Sequence, residues 1–195
     1  MFRVQGVSGL YTNCLIKSLT DIGRLFIFLL ILLSANSVSA QSNLSAYVEI
    51  SISSPGQIRV AAHLSRPMNS WSFRNAYAGV LGIAERIEDF RAVDADVQKA
   101  AVGEYRSERK SSKISYTIKV PEPTLADVSH FTWLTKDRGV LMLADLIPLE
   151  IHSLSAQLAV PPDWSLYTAL PHNVDEVYDV SEPEKAVFCV ARDLR

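Results

Sequence analysis

The chain is poor in the residues from which catalytic centres are usually assembled. Of its 195 residues only two are cysteine and four are histidine. His63, His130, His152 and His172 stand far apart, none three or four residues from another. Metal sites need ligands spaced to converge on one ion, and no HExxH occurs. No G-x-S-x-G elbow, glycine-rich phosphate loop or complete calcium-loop pattern is present either. There is no run of like charges and no low-complexity tract, which excludes a charged interaction tail. The longest apolar run, Leu25–Leu33, falls short of the ~20 residues that span a bilayer.

What is there begins with an export signal. Arg3, Lys17 and Arg24 make a basic front end, the apolar run follows, and Val38-Ser39-Ala40 supplies a small-x-small site. That order predicts a signal peptide over residues 1–40, with cleavage after Ala40. An uncleaved anchor is the alternative. Cleavage leaves residues 41–195, one domain's worth of chain in the periplasmic or extracellular space, with no stable membrane span. Removing Arg3, Lys17, Arg24 and Asp21 leaves 16 basic and 20 acidic side chains of the original 19 and 21, a net charge of −4. This mild balance gives no electrostatic case for nucleic acid or an anionic membrane. Cys14 goes with the leader, so Cys189 has no internal disulfide partner. It sits between Phe188 and Val190, a context that predicts a buried structural thiol.

Strict alternation dominates the mature chain, and alternation means half-buried strands. Val48, Ile50 and Ile52 face one way in residues 47–53, and Ile58, Val60, Ala62 and Leu64 repeat the pattern in residues 57–64. Ser54-Pro55-Gly56 between them predicts an antiparallel hairpin. Ile114, Tyr116, Ile118 and Val120 alternate in residues 113–120, and Leu154, Ala156, Leu158 and Val160 in residues 153–160. Proline follows each run and ends it. Residues 88–93, 131–134, 140–144 and 186–190 are shorter strand candidates, the first closing on an Asp94-Ala95-Asp96 turn. Phe73, Tyr77, Val80, Ala84 and Ile87 recur at helical spacing, which predicts one short helix capped by Ser70 or Ser72. Gly79 and Gly82 weaken it by ~1 kcal/mol each relative to alanine. The sum is an all-β, antiparallel sandwich with one short helix after the signal peptide.

The sequence offers no catalytic, cofactor-binding or metal residues in this chain. His63 falls on the polar face of its strand and reads as solvated, as do the other histidines. Asp127, Ser129 and His130 lie close in sequence, but neighbours in an extended segment point to opposite faces, a poor geometry for a triad. Glu88-Asp89, Asp94/Asp96 and Asp175-Glu176 are carboxylate pairs, and Asp94/Asp96 is explained by its turn. Trp71, Trp133, Trp164, Tyr77, Tyr105 and Tyr167 read as core, with an exposed stacking surface as the alternative. Asn43-Leu44-Ser45 fits a glycosylation sequon.

The order of several phrases resembles the N-terminal β domain of the glycyl-aminopeptidase family of zinc metallopeptidases, whose members often end in a PDZ domain. Those phrases are residues 84–92 (AERIEDFRA) before the Asp-Ala-Asp turn, Gly103-Glu104-Tyr105-Arg106, residues 138–148 (RGVLMLADLIP), residues 160–164 (VPPDW) and Thr168-Ala169-Leu170-Pro171. The family's Trp-x-Pro-Gly-x-Tyr phrase is altered here to Tyr77-Ala78-Gly79 without the proline. The resemblance covers nearly all of residues 44–195. It implies a zinc site with HExxH and a downstream glutamate in a thermolysin-like catalytic domain that follows the β domain, and the present chain contains no such motif. Residues 191–195 are then expected to be a linker cut short. Zinc belongs to that missing domain, and this chain holds no cofactor of its own.

Three functional readings follow. The first is a non-catalytic exported domain that packs beside a peptidase catalytic domain and helps to shape its cleft. The second is a free-standing exported module that binds a peptide, a glycan or a partner protein. The third is a hydrolase built on Asp127, His130 or the scattered carboxylates.

Overall fold

A computed structural model describes residues 43–54, 56–123 and 131–192. The leader, Pro55 of the first turn, the segment holding Asp127, Ser129 and His130, and the end of the expected linker lie outside these residues. The strands are β1 (Leu44–Ser54), β2 (Gln57–Ser72), β3 (Ala76–Tyr77), β4 (Val80–Leu81), β5 (Ile87–Ala92), β6 (Val97–Ala101), β7 (Glu104–Lys119), β8 (Trp133–Leu134), β9 (Arg138–Met142), β10 (Ile151–Ala159), β11 (Trp164–Tyr167), β12 (Val177–Val180) and β13 (Val187–Arg192). Helical structure among the described residues is limited to the 3-10 turns Ile83–Arg86, Leu143–Asp145 and Pro183–Lys185. The all-β class stands.

The larger sheet runs β12-β10-β1-β2-β7-β5, with β6 also on β7. The smaller runs β11-β13-β9-β8. The expected hairpin is β1–β2, with Val48 opposite Ala62 and Ile50 opposite Val60. One pairing departs from the antiparallel rule: β1 and β10 run parallel, with Val48 opposite Ala156. Strands so far apart in sequence are free to pair either way, because no tight turn joins them.

Alternation does the sorting. Val48, Ile50, Ile58, Val60, Ile114, Ile118 and Ala156 turn inward from the larger sheet, and Leu141, Phe188 and Val190 from the smaller, into one continuous core. Tyr178 of β12 meets Phe188 of β13 edge-on, with ring centroids 5.1 Å apart, which ties the two sheets together. A second knot of rings gathers around Phe90, stacked on Tyr105 at 4.4 Å and on Tyr116 at 5.5 Å, with Trp71 at 5.3 Å. Phe90 reaches it because β5 slips register between Glu88 and Arg91. Asp89 takes a left-handed φ of 50° there, so the extra residue of this bulge swings Phe90 to the core side.

The helix expected over residues 73–87 is replaced by the β3–β4 hairpin, and only its final turn, Ile83–Arg86, is helical. Ala78, Gly79 and Gly82 have φ of 48°, 88° and 76°. Left-handed residues in succession fold the chain back on itself, and a right-handed helix cannot pass through them. The apolar residues at helical spacing are divided between surface and core: Tyr77 is exposed, while Phe73, Ala84 and Ile87 are buried.

Candidate functional site

The 3-10 turns bring together a group of charges that the sequence reading did not select. Asp145 ends the turn after β9 and its side chain is wholly buried. Its Oδ2 accepts a hydrogen bond from the Thr132 amide at 2.8 Å. Thr132 is itself clamped, its Oγ1 accepting from the Met142 amide at 2.8 Å. Arg86, at the end of its own turn, donates from Nε to Ile83 O at 3.0 Å and from Nη1 to Thr132 O at 2.9 Å. Its guanidinium lies 5.3 Å from the Phe131 ring centroid. One aspartate and one arginine thus grip both backbone groups of Thr132 and fix the start of the smaller sheet.

Arg74 completes the group. Its Nη1 stands 3.9 Å from Asp145 Oδ1 and its Nη2 3.6 Å from Glu184 Oε1. Its guanidinium is held over the Tyr77 ring, 4.7 Å from the centroid. Both ion pairs are longer than a hydrogen bond. Among the described residues Asp145 Oδ1 and Arg86 Nη2 likewise have no hydrogen-bond partner. Burial pushes the Asp145 carboxyl above the usual carboxylate range, opposed by the Thr132 amide and by both arginines. Burial lowers the Arg86 guanidinium, opposed by Asp145.

Arg74 forms one wall of a concavity of about 400 Å³. Ile147, Leu149 and Ile151 line its apolar part, and Glu182, Glu184 and Lys185 stand at its charged side. Lys185 is engaged by Glu182. Glu184 is 77% exposed on its side chain and stands 3.6 Å from Arg74 Nη2. Leu149 is anchored by its amide on Ser72 O at 2.8 Å and still shows nearly half of its surface to solvent.

Among the described residues, the candidates named from sequence are not brought together. His63, His152 and His172 are exposed on β2, β10 and the segment before β12. His172 packs against Tyr178, 5.3 Å between centroids. Asp127, Ser129 and His130 lie outside the described residues. Glu88 is paired with Lys119 at 2.7 Å across β5 and β7. Asp94 has a left-handed φ of 60° at the turn expected for it. Asp175 and Val177 donate their amides to Asn173 Oδ1, so the Asp175-Glu176 pair also belongs to a turn. No group of three or more His, Cys, Asp or Glu among the described residues could hold a metal ion.

Two readings need correction. Cys189 is exposed. It is flanked by Phe188 and Val190, which are buried in β13, and a strand's period of two sends the residue between them outward. Of the aromatics read as core, Trp71, Trp133, Trp164 and Tyr105 are buried, but Tyr77 and Tyr167 are exposed. Asp145 has a signal in the sequence, because a carboxylate in the apolar stretch of residues 140–148 is buried with its neighbours and must find partners. Arg74 gives no such signal, since its partners come from distant segments.

No protein-family model matches the chain, and no curated protein matches it in sequence. Among solved structures, it is similar to an aminopeptidase N family protein from Idiomarina loihiensis, with a TM-score of 0.61 at 10% identity. The likeness covers 76% of this chain and 29% of that one. An M1 zinc metallopeptidase from Deinococcus radiodurans aligns over 77% of this chain and 43% of its own, with a TM-score of 0.42 at 7% identity. The chain therefore spans less than half the length of the peptidases it is compared with. The expected resemblance to the zinc aminopeptidases is borne out at the level of fold: this is an all-β domain of the kind found within an aminopeptidase N family protein.

Proposed function

We propose that this chain is a non-catalytic, exported β-sandwich that acts beside a zinc-peptidase catalytic domain, on the same polypeptide or on a separate one. The observation that carries this reading is the fold likeness to the Idiomarina loihiensis protein, which takes in 76% of this chain and only 29% of that longer one. The described histidines and carboxylates fit the same reading. They are spread over separate strands and turns, and each carboxylate pair has a local structural role. The charge group around Thr132 braces the backbone and presents no nucleophile beside a base. In such an assembly the domain contributes a rigid surface, and zinc and its ligands belong to the catalytic partner.

The test is hydrolysis of aminoacyl-p-nitroanilides by the purified chain with and without added zinc. The expected result is no zinc-dependent turnover and no zinc retained after dialysis. Turnover abolished by a chelator and restored by zinc overturns the reading. A free-standing binding module is the second reading, favoured by one observation: exposed Tyr77 lies against Arg74, and Arg74 lines the concavity.

A further inference from the structure

We propose that the concavity beside Arg74 is a binding site for the C-terminal end of a peptide, with the terminal carboxylate on the Arg74 guanidinium and the last apolar side chain on Ile147 and Leu149. A guanidinium carries five N–H donors in a fixed fork suited to a carboxylate. Arg74 has ionic neighbours, yet each lies beyond hydrogen-bond length, at 3.9 Å and 3.6 Å. It is also pre-positioned. Its side chain is only 12% exposed, the Tyr77 ring supports one face, and buried Asp145 stands 3.9 Å from Nη1. Held in this way, the fork loses little further freedom on binding.

The charges choose the ligand. Lys185 pairs with Glu182 at a rim where both side chains are exposed and His152 is exposed as well, whereas Arg74 is the lining cation fixed by burial. Glu184 occupies part of its fork from a side chain 77% exposed, and such a pair is weakly held in solvent. An incoming carboxylate would displace Glu184 into water and replace a loose pair with a bidentate one. The apolar part specifies what accompanies the carboxylate. Ile147, Leu149 and Ile151 all line the concavity, the two isoleucines buried and Leu149 47% exposed. The volume of about 400 Å³ lies at the small end of the ~300–1,000 Å³ range of ligand pockets, which suits a peptide end better than a folded surface. This site needs no catalytic partner and stands whether or not the accessory-domain reading does.

The test is calorimetric titration of the purified chain with N-acetyl-Leu-Leu as the free acid and as the C-terminal amide. The acid is expected to bind about tenfold or more tightly than the amide, the effect of one charge-assisted bidentate contact. Glu184→Gln removes the competing carboxylate and should tighten the acid several-fold while leaving the amide unchanged. Arg74→Gln should erase the preference, with a thermal scan reporting whether the variant folds. Because Glu184 is exposed, its variant decides the matter even where the Arg74 variant does not fold. Equal affinity for acid and amide, no binding of either, or an acid affinity unmoved by Glu184→Gln overturns the proposal.

Discussion

Replacing Gly103 with alanine tests the packing that positions Arg86. Gly103 lies in the turn between β6 and β7 with φ of 72°, and its carbonyl accepts the Phe73 amide at 2.8 Å. An added Cβ would stand 2.5 Å from the Ala84 Cβ and 3.2 Å from Phe73 O. Ala84 is fully buried in the 3-10 turn that ends at Arg86. Neither neighbour is a flexible side-chain end, so the backbone must move. The left-handed conformation costs a non-glycine residue ~1–2 kcal/mol, and forcing an extra methyl into a packed core costs ~1–3 kcal/mol. Together they give a loss of about 2–5 kcal/mol.

Gly79 is the internal control. Its φ is 88°, and an added Cβ would meet nothing within 4 Å. Gly79→Ala therefore carries only the backbone cost, ~1–2 kcal/mol. Urea unfolding of the purified chain at 25 °C, followed by tryptophan fluorescence, should separate the two variants by about 1–3 kcal/mol. In a domain of this size each 1 kcal/mol moves Tm by ~2–4 °C, so a thermal scan should separate them as well. A Gly103→Ala protein as stable as Gly79→Ala would refute the close approach of Ala84 to Gly103.

Tyr116 is fully buried and donates its hydroxyl to Leu146 O at 2.7 Å. Tyr116→Phe leaves that carbonyl unpaired and should cost ~1–3 kcal/mol in urea unfolding. Burial raises the Tyr116 phenol well above its ordinary value of 10.0. The unfolded chain then loses this proton first, so stability falls as pH rises past about 10. Tyr116→Phe should flatten that alkaline limb, and a limb as steep as the parent's would show that Tyr116 is not its source. In a Cys14→Ser background, native Cys189 should react with a water-soluble disulfide reagent at nearly the rate seen in urea; reaction confined to the unfolded chain would place the thiol inside.

The candidate site shows how far local pattern reaches. Asp145 was visible as a carboxylate stranded in an apolar stretch. Its role was not, because Thr132, Arg86 and Arg74 come from three other segments and are joined only when both sheets are assembled. The hydrophobicity of Phe188 and Val190 points Cys189 inward, whereas alternation in the same strand places it outside. Tyr77 has the residue type of a core position, and the left-handed turn at Ala78 and Gly79 leaves it on the surface against Arg74.

The sequence by itself determined the all-β class, the β1–β2 hairpin and the inward faces of β1, β2, β7 and β10. These follow from a period of two, which is set by the backbone of each strand alone. Only the tertiary structure decided the parallel pairing of β1 with β10, the bulge that delivers Phe90 to the ring cluster, and the concavity of Arg74. Each depends on groups far apart in the chain meeting at distances of a few ångström, and residue type and spacing along one segment carry no information about that meeting.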